Sequence, residues 1–324
     1  MFWRKKKVPA GPPQIGCFGK LPATGDFIRL NGSSDELAAF DRWLGGAIDF
    51  AKRALGPTWD AVYPSAVGLF IFRGEAKGDD VPARGLVGAW AASGDSAGRQ
   101  YPMVVFGSYD YGQLVATGAA LPLALWPLLA AAYDLVTTGR QLQVDAFLER
   151  VSRIAAPTLD DPESAGAGYR GWLTTQSMKA LWETGFATDN GRFWVVQHLA
   201  EAIEPFKGQE LPRTGLGIRL PLGAGDAYAV AVWIDMMVRL AGWERTLLNV
   251  FWIPQKTAIL HPGPPHVGTL RELIAPTGIA EHVAELCGAP TIDEQAARQR
   301  LGTVRESLVA DTSQTLSTFL DKLA

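Results

Sequence analysis

The sequence predicts an α/β fold in which helices cover a sheet on both faces. Two observations support this prediction. Segments with the three- and four-residue apolar spacing of helices alternate along the chain with short apolar runs that are typical of strands. These short runs lack the regular apolar–polar alternation of a half-exposed strand, which indicates burial on both sides. The pattern therefore favours a layered fold, and it leaves a parallel and a mixed sheet equally open.

Three segments have helical character. The first begins after the capping residues Ser34 and Asp35 and ends at Gly56, where a glycine followed by proline stops a helix. The second covers 226–240. The third begins near Asp293 and carries leucines at roughly helical spacing, which predicts an amphipathic C-terminal helix.

Six short apolar runs between turn residues are predicted to be strands. They cover 67–72, 86–92, 103–106, 218–220, 247–253 and 257–261. The stretch 155–171 is rich in proline, glycine, alanine and acidic residues, and we expect an exposed connection there. It divides the chain into a first region, 14–150, and a second region, 151–324. The second region is expected to complete or extend the same α/β domain.

The composition indicates a globular protein and argues against several functional classes. The 324 residues are 48% hydrophobic and 19% charged, which is sufficient for a sizeable core. Thirty lysines and arginines against 33 acidic residues leave a net charge of −3, so the basic surface of a nucleic-acid-binding protein is not expected. Cys17 and Cys287 are far apart and belong to no CxxC pair, which favours a reducing cytoplasm over disulfides or structural zinc.

Two segments bear on contact with a membrane. Residues 111–133 carry no charge and are long enough to span a bilayer. Glycines, threonine and prolines interrupt them, so we expect a loop and then a buried helix beginning near Pro122 or Pro127. Residues 1–13 are expected to be a flexible basic tail, as chain termini often are. They are not expected to be a secretory signal, because prolines stand where such a signal needs an apolar stretch. Weak contact of this tail with an anionic membrane surface stays open.

Candidate cofactor and metal motifs are incomplete. The stretch 16–21 contains a Gly-Lys pair, but Gln14 and Leu21 occupy the positions where a phosphate-binding loop requires glycine and a hydroxyl residue. His261 and His266 bracket a proline-rich loop, and two imidazoles are fewer than the three or four ligands of a zinc site. We expect a surface loop there. No catalytic residue, metal or cofactor is assigned.

Several short motifs follow one another in a specific order in the first third of the chain. They are GCFGKLP at 16–22, GDF at 25–27, FDRWL at 40–44, Ser93, Asp95, GR at 98–99 and YP at 101–102. Together they resemble the opening of the TagF/ImpM family, which is associated with bacterial type VI secretion. Cys17 and Tyr101 stand where the family more usually has phenylalanine, and 155–215 resembles an insertion.

The resemblance implies a three-layer α/β/α sandwich with a central sheet and additional C-terminal helices. It also implies a non-enzymatic cytoplasmic protein that represses type VI secretion after translation. Family members act by engaging the forkhead-associated scaffold protein of that system. We therefore expect this scaffold as the partner, no nucleic acid, and no transmembrane segment.

Four charged residues of these motifs are the candidates for the partner surface. We expect Lys20, Asp26, Asp95 and Arg99 to converge near one edge of the sheet and to brace the loops there. A carboxylate between a lysine and an arginine can fix two loops through charge-assisted hydrogen bonds. Asx turns and a buried Asp–Arg pair would explain the same residues without any function.

Two other functions stay open at this stage. A hydrolase-like enzyme could use Asp26 or Asp95 together with Lys20 or Arg99. A peripheral membrane adaptor could use the aromatic and basic residues of the tail, 1–13.

Overall fold

A nine-stranded sheet forms the centre of the fold. The computed structural model describes residues 11–75, 81–185, 191–209, 212–213, 215–223, 226–244, 246–276, 280–287 and 293–323. The strands are β1 Gln14–Lys20, β2 Phe27–Leu30, β3 Val67–Phe72, β4 Arg84–Ala91, β5 Met103–Asp110, β6 Gly217–Pro221, β7 Asn249–Ile253, β8 Thr257–His261 and β9 Val283–Glu285. Their order is β2-β1-β5-β4-β3-β7-β8-β6-β9. The sheet is mixed, because β6 and β9 are parallel and the other neighbours are antiparallel.

Helices cover both faces of this sheet. They are α1 Asp35–Leu55, α2 Trp59–Val62, α3 Tyr111–Thr117, α4 Leu121–Ala124, α5 Trp126–Thr138, α6 Val144–Ser152, α7 Pro162–Thr175, α8 Met178–Gly185, α9 Gly191–Ile203, α10 Asp226–Ala241, α11 Thr269–Ile274, α12 Glu294–Ala310 and α13 Leu316–Leu323. One apolar core lies between the sheet and α1, α2 and α11, and a larger core lies between the sheet and the other helices. The predicted three-layer α/β/α sandwich is confirmed.

The strands contribute side chains to both cores, which explains their unbroken apolar sequences. Leu86 of β4 packs in the core beneath α1, and the next residue, Val87, packs in the core on the opposite face. Successive side chains of a strand point to opposite faces, so a strand buried on both sides needs apolar residues at every position.

Most predicted elements are present. Helix α1 begins after Ser34, whose hydroxyl accepts a hydrogen bond from the backbone N–H of Leu37 at 3.4 Å, and it ends before Gly56. All six predicted strands are confirmed, and β3 and β8 have the predicted bounds. Helix α10 is confirmed over 226–241. The C-terminal stretch is helical, but Gly302 breaks α12 with non-helical dihedral angles, and α13 follows separately.

Three predictions about connecting segments were wrong or incomplete. The stretch 155–171 is a connection only up to Asp161, whose carboxylate accepts a hydrogen bond from the backbone N–H of Ser164 and begins α7. No loop precedes Pro122 in the segment 111–133, because α3 begins at Tyr111. No strand was predicted between 14 and 32, but β1 and β2 lie there, in a stretch rich in glycine. The predicted tail, 1–13, lies outside the described residues except for 11–13.

The described helices give little support for a membrane span. None of them is by itself both long and apolar enough to cross a bilayer, and one pair, Tyr111–Ala124 with Trp126–Gln141, meets the length and composition only across a bend of 58°. Within that pair, Leu128, Leu129 and Ala132 of α5 are fully buried in the core on the sheet.

Hydrogen bonds between β3 and β7 join the two regions of the chain. Leu69, Phe70 and Ile71 of β3 pair with Trp252, Phe251 and Val250 of β7. The first five strands therefore share one continuous sheet with the last four.

Candidate functional site

The candidate residues lie at the end of the sheet where β1 stops and β5 begins. Strand β1 ends at Lys20, and the loop 92–102 connects β4 to β5, the neighbour of β1. The antiparallel pairing of β1 with β5 brings this loop against the segment 21–26 that follows β1. The sheet topology thus places Lys20, Asp95 and Arg99 together although 75 residues separate the first two.

Asp95 is the centre of this group. Its Oδ2 accepts hydrogen bonds from the Lys20 ammonium and, at 2.7 Å, from Nε of Arg99. Its Oδ1 accepts the backbone N–H groups of Ala97 at 3.0 Å and of Arg99 at 2.9 Å. Lys20 is only 5% exposed and Asp95 is buried as well, whereas most of the Arg99 side chain is exposed. We call Lys20, Asp95 and Arg99 the loop brace.

The surroundings of Asp95 favour its charged form. The hydrogen bond from Lys20 holds the pKa of the Asp95 carboxyl well below its usual range, and the N–H groups of Arg99 and Ala97 act in the same direction against the effect of burial. Asp95 is therefore an anion at neutral pH, with both oxygens engaged.

Further hydrogen bonds tie the two loops together. Arg99 Nη2 donates to the carbonyl of Gly25 at 2.6 Å, and the Ser96 backbone N–H donates to the carbonyl of Thr24 at 3.0 Å. The Ser93 hydroxyl donates to the carbonyl of Lys20 at 2.7 Å. Two of these bonds fix the segment 21–26 to the loop 92–102, and the third fixes the end of β1 to the same loop.

Asp26, the fourth candidate, lies outside the loop brace. Its side chain is exposed, and its backbone N–H donates to the Thr24 hydroxyl at 3.3 Å. Within the described part of the chain, no hydrogen bond or ion pair reaches its carboxylate. The carboxylate between the lysine and the arginine is that of Asp95.

An aromatic group beside the loop brace was not predicted as part of a site. Phe27 stacks on Phe18 with ring centroids 5.3 Å apart, and Tyr101 packs edge-on against both rings. Phe27 is 43% exposed, which is unusual for a phenylalanine on a strand. The Lys20 ammonium lies 4.8 Å from the Phe27 ring centroid, so the aromatic group and the loop brace are contiguous. Both Phe27 and Tyr101 belong to the motifs of the sequence, but only a structure shows that they touch.

The same loop contains a Gly-x-Ser-x-Gly pattern at 94–98. In α/β-hydrolases this pattern places a nucleophilic serine between a strand and a helix, next to a histidine. Here Ser96 lies in a turn between two antiparallel strands, and no hydrogen bond joins it to a histidine among the described residues. The pattern forms the turn around Asp95.

The prediction that His261 and His266 lie in a surface loop is wrong for His261. This residue ends β8, is fully buried, and contacts the Thr269 hydroxyl through Nε2 at 3.0 Å. Burial lowers the pKa of His261 to about 3. His266 is half-buried, and its ring lies 4.2 Å from that of His282. In the described ranges, no three His, Cys, Asp or Glu side chains are grouped so that they could hold a metal ion.

The segment that resembled a phosphate loop is part of β1. Residues 16–18 pair with β5 on one side, and residues 17–20 pair with β2 on the other. Gly19 allows the close approach of β5, because a Cβ there would lie 2.1 Å from the carbonyl oxygen of Pro102. The glycines of this segment therefore serve the packing of the strand.

One comparison with known proteins, the match to a family, agrees with the motifs. No curated protein matches the chain. The crystal structure of PA0076 from Pseudomonas aeruginosa PAO1 is similar over 86% of this chain and 100% of that chain, with 17% identity and a TM-score of 0.46. Residues 16–154 match the family described as the TagF N-terminal domain, type VI secretion system-associated. The loop brace and the aromatic group both lie within this range. The part of the chain that holds the loop brace thus matches a TagF N-terminal domain, which is associated with type VI secretion.

Proposed function

We propose that this protein is a non-enzymatic, cytoplasmic repressor of type VI secretion that acts after translation by binding the forkhead-associated scaffold protein of that system. The observation that carries the proposal is the position of the loop brace inside the TagF N-terminal domain, 16–154. It holds two loops in one arrangement beside an exposed aromatic side chain. Such a surface suits protein recognition.

The chemistry of the loop brace supports binding over hydrolysis. A general base needs a free lone pair and a pKa near the working pH. Both oxygens of Asp95 already accept hydrogen bonds, and its lowered pKa makes it a weak base. The ammonium of Lys20 is buried against the carboxylate, so a substrate could reach it only by breaking that pair.

The neighbouring side chains supply what an interface needs. Aromatic residues and arginine are the most frequent anchors of binding energy in interfaces. Phe27 and Arg99 are both exposed here, and the loop brace fixes the backbone on which they stand. Fixing this backbone before binding reduces the conformational entropy that association would otherwise cost.

The proposal is tested by calorimetric titration of the full chain with the forkhead-associated scaffold protein encoded in the same secretion cluster. We expect Arg99→Ala to weaken binding about tenfold, because it removes an anchor and frees the Gly25 carbonyl. Arg153→Ala is the matched control, since its ion pair with Glu149 is exposed and lies at the C-terminal end of α6. In cells, deletion of the gene should raise secretion, and the Arg99→Ala gene should restore repression only in part.

Asp26→Ala tests whether Asp26, which is exposed and lies outside the loop brace, contributes to stability. Because the Asp26 carboxylate has no partner in the described structure, this variant should change the free energy of unfolding by less than about 0.5 kcal/mol.

Two results of the titration would contradict the proposal. If the unmodified protein does not bind the scaffold, the proposed function is wrong. If Arg99→Ala and Arg153→Ala bind equally well, the assigned surface is wrong.

A further inference from the structure

Strand β2 is an open edge of the sheet beside the loop brace. It is the terminal strand in the sheet order and pairs with β1 alone, from Phe27 opposite Lys20 to Leu30 opposite Cys17. In the described part of the chain, no hydrogen bond from any element other than β1 reaches the backbone of Phe27–Leu30. Half of its N–H and C=O groups therefore point outward and have no partner among the described residues, which makes the edge a template for another strand.

The two faces of β2 differ in what they offer to an added strand. Phe27 and Arg29 point to the face that carries α1, where both pack with Phe18. Ile28 and Leu30 point to the opposite face, where Ile28 is 5% exposed. A strand paired with β2 would place alternate side chains next to an exposed phenylalanine and an exposed arginine.

Arg29 gives the edge its charge preference. Its guanidinium lies 5.0 Å from the Phe18 ring centroid, and it forms no ion pair with any carboxylate of the described residues. Arg99, the other exposed cation nearby, is already paired with Asp95. A carboxylate on the added strand could therefore pair with Arg29 without competing with an existing salt bridge.

We propose that β2 accepts an extended segment of a partner protein as a tenth strand of the sheet. The segment carries an apolar residue beside Phe27 and an acidic residue two positions away, beside Arg29. This inference deepens the proposed function: that the segment belongs to the forkhead-associated scaffold rests on that function, whereas the surface itself does not.

The length of the edge favours a peptide segment over a second copy of the chain. Four residues span about 13 Å at ~3.3 Å per residue. Stable protein dimers bury on the order of 1,200–2,000 Å² in total, far more than such an edge supplies. Short extended segments that add to a sheet edge take most of their affinity from backbone hydrogen bonds, which β2 can provide.

Hydrogen exchange of the full chain with and without the scaffold protein is the first test. We expect amide exchange of 27–30 to slow by about tenfold or more on binding, while the opposite edge, β9, stays unchanged. If the scaffold binds and exchange of 27–30 does not change, the inference is wrong and the proposed function stands. If the scaffold does not bind at all, the function fails and the peptide experiment below decides the inference alone.

A labelled peptide in which a valine and a glutamate stand two positions apart, with threonine at the positions between and beside them, is the second test, measured by fluorescence anisotropy. It should bind the full chain, and a matched valine–lysine peptide should not. Arg29→Glu should weaken binding about tenfold, whereas Arg300→Glu, the same charge change at an exposed site on α12, should leave it unchanged. Melting temperatures equal to that of the unmodified protein would show that both variants are folded.

Backbone methylation distinguishes strand addition from contact by side chains alone. Two methylated peptides can be made, one with N-methyl groups on the odd-numbered residues and one with them on the even-numbered residues. Only one of these two frames blocks the backbone N–H groups of the peptide that face β2. We expect one frame to abolish binding and the other to retain it. Equal binding of the two methylated peptides would overturn the inference. So would dimerisation through β2, or peptide binding that appears only after deletion of residues 1–10, because a second copy or another segment of this chain would then occupy the edge.

Discussion

At the scale of residues, the loop brace concentrates four donors on one carboxylate. Two charged side chains and two backbone N–H groups share the oxygens of Asp95. Removing a single donor leaves the others in place, whereas removing the carboxylate leaves a buried ammonium without a partner. Lys20 and Arg99 therefore depend on Asp95 more than it depends on either of them.

The stability of the protein should depend on pH through Asp95. Its folded pKa lies below the unfolded value of about 4, so the stabilisation is complete above pH 4 and is lost as the pH falls further. Asp95→Asn lacks this contribution: it should be less stable at pH 7, and its deficit should shrink between pH 4 and pH 3. Urea unfolding followed by tryptophan fluorescence measures both.

Asp26→Asn is the control for this experiment. Its carboxylate accepts no hydrogen bond within the described ranges, so the substitution should change the free energy of unfolding at pH 7 by less than about 0.5 kcal/mol. A constant deficit of Asp95→Asn across the same pH range would contradict the assignment of Asp95 as the buried anion.

The motifs located the loop brace only in part. Glycine-flanked turns and charge types singled out Lys20, Asp26, Asp95 and Arg99. Which aspartate would lie between the two cations depended on where the loop 92–102 meets the end of β1, and that is a tertiary contact between distant segments. The exposure of Phe27 was equally invisible, because a strand was not predicted there.

At the scale of elements, β1 depends on a glycine beside Lys20. Gly19 has φ +140° and no room for a Cβ, which would meet the Pro102 carbonyl oxygen at 2.1 Å. Gly19→Ala should therefore cost at least about 2 kcal/mol of the free energy of unfolding, through backbone strain and displacement of β5. Gly45→Ala on α1, where nothing lies within 4 Å, should instead stabilise by about 0.5–1 kcal/mol.

Chemical denaturation of the two alanine variants checks this contrast. A Gly19→Ala protein as stable as the unmodified one would show that β1 and β5 can separate locally without loss. A destabilised Gly45→Ala protein would contradict the open space beside α1.

Elements were predictable where local sequence and tertiary environment agree. Helix α1 has a capping serine, a regular apolar stripe and a terminal glycine, and β3 and β8 are apolar runs between turns. Strands β1 and β2 were missed because glycines at close strand contacts have the same sequence appearance as glycines in loops. Helix α7 was missed because Pro162, which suits a first helical turn, also suits a connection.

At the scale of the whole molecule, the sheet couples the two regions of the chain. Phe251 of β7 stacks on Trp43 of α1 with centroids 4.4 Å apart, and β7 pairs with β3. We therefore expect calorimetry to show one unfolding transition, as a single domain would. Phe251→Ala should lower that whole transition, at a cost of about 3–5 kcal/mol.

Two features would argue against this coupling. One is a second calorimetric transition in the unmodified protein. The other is a Phe251→Ala protein in which only part of the tryptophan fluorescence change on unfolding moves to lower temperature. The comparison variant Phe319→Ala, buried in α13 on the opposite core, should shift the same single transition.

The pairing of β3 with β7 also delays the completion of the sheet during synthesis of the chain. The partner of Ile71 is Val250, roughly 180 residues later in the chain. At translation rates of about 5–20 residues per second, the ribosome needs on the order of 10–40 seconds to supply it. During that interval the nascent TagF N-terminal domain carries β3 with one side unpaired, and the aromatic surface of α1 around Trp43 lacks Phe251. Until β7 is made, each new chain therefore lacks the strand and the aromatic side chain that cover this surface in the finished protein.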